Sequence, residues 1–252
     1  MATTPSPAAP GQASIGAFGR LAGVLFNPRP TFEDIARKPS WVVPIMVIIV
    51  LQLAVTAVLG QRIGWRSVIE RQIAKSASAQ KRMEQLSPQQ RQDAIDQQAK
   101  FAPIVGYVAP PIVLIIVTLI VAGILLGLFN AMASAELDFK TSLGIVSHAW
   151  VPSIITALLA ILILYLKDPE SVDIQNIVAS NLGLLFSSES PKWLVSLGES
   201  IDIFSFWQIY LLGLGYSVAR PRKIKMGTAL TYVIVLWALY VVVKVGAAAI
   251  FS

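Results

Sequence analysis

The sequence predicts an all-α integral membrane protein with five transmembrane helices, an N-terminal interfacial amphipathic helix and a helical extracytoplasmic loop. Three observations predict it. Of 252 residues, 55% are hydrophobic and only 13% are charged, with mean hydropathy +0.68. Soluble domains carry about 25% charged residues, so this chain could not cover its surface in water. Five apolar runs approach the roughly 20 residues that a bilayer core requires. Polar loops and proline corners separate them.

The elements follow in order. Residues 1–14, MATTPSPAAPGQAS, lack a basic segment and an apolar run, so no cleavable leader is expected there, and their Pro/Ala/Ser/Thr composition predicts a disordered tail. Residues 15–252 then form a single domain. Ile15, Phe18, Ala22, Leu25 and Phe26 make an apolar stripe opposite Arg20. FNPRPTFEDIARKPSW follows, a short charged segment between prolines. Thr31 with Asp34 three residues on predicts a capping-box-like start, and Glu33 and Asp34 suit the positive end of the helix dipole. Lys38 and Pro39 predict its stop, and Phe32, Ile35 and Ala36 its apolar face. Trp41 is placed to anchor at the headgroups.

The predicted spans are Trp41–Leu59, Ile104–Phe129, His148–Leu166, Ile201–Ala219 and Met226–Ile250. The 61–102 loop predicts two amphipathic helices, about 65–85 and 88–100. Trp65, Val68, Ile69 and Ile73 recur at helical spacing in the first, and Ser87-Pro88-Gln89-Gln90 starts the second.

Lysine and arginine in the loops set orientation. The turn ARPRKIKMG holds Arg220, Arg222, Lys223 and Lys225 without an acid, whereas the loop 167–200 is rich in acids. That contrast places 220–225 and the N-terminus in the cytoplasm and the C-terminus outside. The 61–102 loop opposes it, with eight basic residues on the outer side.

Cysteine is absent, which removes disulfide and thiol chemistry. The net charge of +6 is scattered among apolar segments, a pattern of topology and lipid contacts that predicts no nucleic-acid partner. His148 is the one histidine, so HExxH and His/Cys zinc clusters are excluded; at the start of a span it suits a locally hydrogen-bonded headgroup-level residue. No phosphate loop occurs. No catalytic, cofactor-binding or metal residue is assigned, and no cofactor is expected.

Several residues resemble the Yip-type membrane domain (Ypt-interacting proteins), particularly its bacterial branch. They are Asn27-Pro28-Arg29-Pro30-Thr31-Phe32, Pro39-Ser40-Trp41, Phe139-Lys140, Ser147-His148-Ala149-Trp150-Val151-Pro152, Asp202-Ile203-Phe204 with Trp207, and Leu236-Trp237-Ala238-Leu239. The resemblance covers about residues 20–250. It implies five membrane helices, a cytoplasmic N-terminus and no catalysis. Eukaryotic relatives are associated with Rab-type GTPases, a role not carried over because the long acidic and aromatic N-terminal region is missing. The expected function is a non-enzymatic scaffold or adaptor in a bacterial inner membrane; the alternative is a small-solute or ion transporter or channel. Pro110-Pro111 and the intramembrane Gln52, Thr56, Thr118 and Gln208 are the features that alternative draws on.

Three candidate sites follow. Gly123, Gly127, Ala131 and Ala135 recur every four residues, a small-residue stripe for close helix packing within the monomer or in a homo-oligomer. Arg220, Arg222, Lys223 and Lys225 are candidate contacts for anionic headgroups. Asp202 and Lys244 lie nearly equidistant from the turn between the last two spans, which predicts an ion pair at equal depth.

Overall fold

The computed structural model describes residues 14–187 and 190–250. Residues 1–13 of the expected tail lie outside that range. α1 (Ala17–Phe26) and α2 (Pro28–Arg37) form an elbow, followed by α3 (Val42–Arg62). α4 (Trp65–Lys75), α5 (Ala77–Glu84) and the 46-residue α6 (Pro88–Ala133) come next. The chain continues through α7 (Phe139–Ala149), α8 (Pro152–Leu166), two 3₁₀ turns, α9 (Lys192–Ser200), α10 (Ile203–Ala219) and α11 (Met226–Ile250). Among the described residues no strand forms; Asn181 and Asp202 make an isolated bridge.

Among the described residues, four helical stretches are long and apolar enough to cross a membrane: α3, α6, α7 continued by α8, and α11. Their outward faces carry Val242, Val243, Leu239, Ile120 and Leu162, each more than half exposed. Leaving one such side chain in water forgoes about 1.5–3 kcal/mol, so only lipid tolerates the set. α10 is 17 residues, roughly 26 Å, and falls short of that length because its start is fixed by a cap. Asp202 Oδ1 accepts the amides of Phe204 and Ser205 at 2.9 and 3.0 Å.

The loop 61–102 differs from expectation in its second helix. Ser87 closes a full capping box with Gln90, as the sequence predicts, but the helix does not stop near residue 100. It runs on as α6 through Pro103, Pro110 and Pro111. A proline removes the hydrogen bond to the carbonyl four residues back and crowds it. For Pro110 that carbonyl is Gly106, which has no side chain to add to the crowding. Its oxygen accepts Thr56 Oγ1 at 3.5 Å, a long substitute bond from α3. The first helix is also divided, at Ser76, whose hydroxyl caps α5 by accepting Ala79 N.

The span predicted from His148 likewise begins earlier. Asp138 caps α7 by accepting Thr141 N at 2.9 Å, so His148 lies about 14 Å along that helix. It is 1% exposed, and its Nδ1 is 2.8 Å from the Gly144 carbonyl. The expected local bond is there, and the ring is enclosed by protein. Pro152 explains the break at Trp150-Val151, since its ring cannot sit over the carbonyl of His148.

The core lies where α2, α6, α7, α10 and α11 converge. Tyr216 is fully buried, stacks on Phe129 with centroids 4.4 Å apart, and shares a hydrogen bond with Ser142. Gly215 lets α10 approach α2 and α7: a Cβ there would lie 2.5 Å from Ile145 Cγ2 and 3.0 Å from Phe32 Cδ1. The short charged helix is therefore a core element on its Phe32–Ile35 side.

Candidate functional site

The elbow is built on a pair that the sequence pattern did not reveal. α2 starts at Pro28 with Asn27 before it, so Thr31 lies inside the helix and donates to the Asn27 carbonyl at 2.8 Å. Asp34 is thus freed from capping. It is 3% exposed and meets the 4% exposed Arg20, with Nη2 2.8 Å and Nε 2.9 Å from Oδ2. Arg20 Nη1 also donates to the Lys38 carbonyl at 3.0 Å and to Ser40 Oγ at 2.6 Å. The guanidinium is the inner face of α1, while Phe18 and Phe26 are 74% and 86% exposed. The helical phase is as expected: Arg20 faces inward and Phe18 and Phe26 face outward, on opposite sides of α1. A lone arginine in AFGRLAGVLF was the one available signal.

At the same end, Ser134 and Glu136 adopt φ of 45° and 53°, the left-handed region that non-glycine residues enter at a cost. Asn130 pins this loop through both groups of Leu137, at 2.8 and 3.0 Å. Arg220 braces it from across the bundle, Nε to the Ala135 carbonyl at 3.0 Å and Nη2 to that of Glu136 at 2.9 Å. Of the four basic residues, Arg220 is therefore engaged by protein, whereas Arg222, Lys223 and Lys225 are exposed. The Asp138 carboxyl beside this loop is held below its ordinary range by the Thr141 hydroxyl, 2.6 Å away.

The small-residue stripe does not pack inside the monomer. Gly123, Gly127 and Ala131 are exposed, and a Cβ on either glycine would meet nothing within 4 Å. Ala135 is off the helix and buried at 1%. The α6 face turned to the core is the one bearing Ala122, Leu125 and Phe129.

The predicted Asp202–Lys244 pair is also corrected. Lys244 Nζ lies 3.3 Å from Glu199 Oε2 and from the Ser196 carbonyl. Equal depth was insufficient, because α9 packs against α11 and supplies a nearer carboxylate, while Asp202 is directed into its cap and toward Ser180 Oγ. Nearby, Arg71 donates to the carbonyls of Pro169 and Val172 at 3.0 and 3.1 Å, and Lys75 pairs with Asp173 at 2.6 Å. Burial raises the Asp173 pKa, but Lys75 and backbone amides outweigh it and leave it below the ordinary value.

The polar residues of the apolar helices separate into two groups. Thr118 is satisfied, accepting Trp150 Nε1 at 3.2 Å and donating to the Leu114 carbonyl at 2.6 Å. Gln52, Thr56 and Gln208 line a crevice of about 490 Å³ with Asp202, Ser205 and Thr156. Leu211 to Ser217 of α10 are buried without interruption. Among the described residues, no group of three or more His, Cys, Asp or Glu side chains is placed to hold a metal ion.

No curated protein and no solved structure matches the chain. A family model does: the Yip1 domain matches residues 22–247, from the middle of α1 almost to the end of α11. A match over that share of the sequence, on a helical protein with several membrane-length apolar helices, places this chain in the Yip1 domain family.

Proposed function

We propose that this protein is a non-enzymatic membrane scaffold or adaptor of five spans, α10 being the fourth, in a bacterial inner membrane. The observation that carries the reading is the Arg20–Asp34 pair. Two charges buried at the α1–α2 elbow are satisfied within the protein, so this end is fixed in shape and its chemistry is architectural. Leu211 to Ser217 of α10, buried and carrying no charged side chain, support the same reading over a transporter, which needs a polar path through the membrane.

The N-terminus and the 220–225 turn face the cytoplasm in this reading. The basic residues that oppose that orientation are largely engaged at the other end: Arg62 by the Leu164 carbonyl, Arg66 by Glu70 and Asp96, Arg71 by two carbonyls, and Lys75 by Asp173. Arg222, Lys223 and Lys225 remain for anionic headgroups. The open face with Gly123, Gly127 and Ala131 accepts a helix of a protein partner or of a second copy.

Site-specific photo-crosslinking in native membranes tests this. A crosslinker at Ala131 is expected to give a discrete protein adduct, while one at the lipid-facing Val242 gives none. Absence of any adduct at Ala131, together with solute flux in proteoliposomes, overturns the scaffold reading.

A further inference from the structure

The crevice at Gln52 and Gln208 has the form of a lipid site. Its mouth, about 490 Å³, lies toward the Asp202 end and is walled by Thr56, Thr156, Ser205 and Asp202. A deeper volume of about 350 Å³ shares Gln52, Pro110, Ser153 and Gln208 with it. Beyond lies a more enclosed chamber of about 500 Å³, walled by Ile124, Leu125, Leu212, Val233 and Trp237. Gln208 borders all three, with the polar mouth on one side of it and the apolar chamber on the other. Gln208 is six residues past Asp202, roughly 9 Å deeper along α10.

Two features of the wall select a head group. Gln52 Oε1 is buried and, among the described residues, has no hydrogen-bond partner; a buried acceptor in that state calls for a donor. The donors to Asp202 are the amides of Phe204 and Ser205 and the Ser180 hydroxyl, all uncharged, which leaves its negative charge available to a cation. Among the described residues, no lysine or arginine lines any of the three volumes. The wall therefore favours a zwitterionic head that presents a cationic donor over a net-anionic one.

We propose that this crevice binds one aminophospholipid, its ethanolamine ammonium among Asp202, Gln52 and the hydroxyls of the mouth, and an acyl chain in the chamber beside Leu212 and Trp237. The lipid supplies the donor that Gln52 lacks and fills apolar volume with hydrocarbon. This site is at the opposite end from Arg222, Lys223 and Lys225 and does not depend on the scaffold reading.

The experiment uses the full-length protein in vesicles of mixed phosphatidylethanolamine, phosphatidylcholine and phosphatidylglycerol, extracted mildly and measured by native mass spectrometry. Retained phosphatidylethanolamine is expected to exceed its bulk share. Asp202→Asn keeps a good helix cap and removes the charge; it should reduce that enrichment about tenfold, the weight of one charge-assisted hydrogen bond. Gln52→Leu removes the acceptor at similar size and should act in the same direction. Melting temperature in lipid-free detergent identifies a variant that has failed to fold. Loss of enrichment in either folded variant supports the site. Retained lipid that mirrors the bulk mixture, enrichment of phosphatidylglycerol instead, or unchanged enrichment in both variants overturns it.

Discussion

Arg20 and Asp34, fourteen residues apart in sequence, lie 2.8 Å apart in the structure with side chains 4% and 5% exposed. Removing one member leaves the other charged and unpaired, which costs about 3–5 kcal/mol in a buried pair. Arg20→Ala and Asp34→Ala should each lower the melting temperature in detergent strongly. Replacing both, as Arg20→Met with Asp34→Leu, should recover a large part. Single variants that melt like wild type would remove the pair from the elbow.

Lys244 tests the alternative partners directly. Its pair with Glu199 is about a third exposed, so its contribution is under about 1 kcal/mol. Exchanging the two residues, Glu199→Lys with Lys244→Glu, should restore whatever stability Lys244→Glu loses alone. Exchanging Asp202 with Lys244 should not, since it destroys the α10 cap, worth about 1 kcal/mol. The reverse outcome would favour the Asp202 pairing.

Two glycines should respond oppositely. Gly127 faces open space, so Gly127→Ala should leave thermal stability unchanged or slightly higher. Gly215→Ala places a methyl 2.5 Å from Ile145 Cγ2 against a rigid core, and overpacking of that kind costs about 1–3 kcal/mol. Equal effects of the two would contradict the α10 packing.

The cap at Asp138 predicts a pH effect. Its folded-state pKa is depressed, chiefly by the Thr141 hydroxyl. A depressed acid stabilises the fold above its unfolded pKa, about 3.9, and that contribution disappears as pH falls through the folded value. Between pH 6 and 3 wild type should lose more stability than Asp138→Asn, which keeps a capping oxygen without titrating. Parallel melting curves across that range would refute it.

In the basic turn, the three exposed residues and the braced one should separate. Changing Arg222, Lys223 and Lys225 to Gln should reduce bound anionic lipid, at roughly 1 kcal/mol per residue, with little change in melting. Arg220→Gln should do the opposite, because it releases the carbonyls of Ala135 and Glu136. Native mass spectrometry alongside thermal melts distinguishes them.

Whatever depends on local composition and on neighbours a few residues away could be read before any coordinates. Apolar runs long enough for lipid, the Ser87–Gln90 capping box and the elbow between prolines were all legible, because length, capping and φ restriction act within a turn of helix. The family was legible from short motifs in order. The direction in which each face points came instead from long-range packing. Periodicity put Arg20 opposite Phe18 and Phe26, yet which side is inside depended on an acid in another helix, and Asp34 was free for that role only because α2 starts at Pro28. The same holds for Gly123 and Gly127, which face open space, against Gly215, packed on Phe32. Lys244 found Glu199 and not Asp202 for a related reason: depth along a helix is local, but the nearest carboxylate is set by which helix packs alongside.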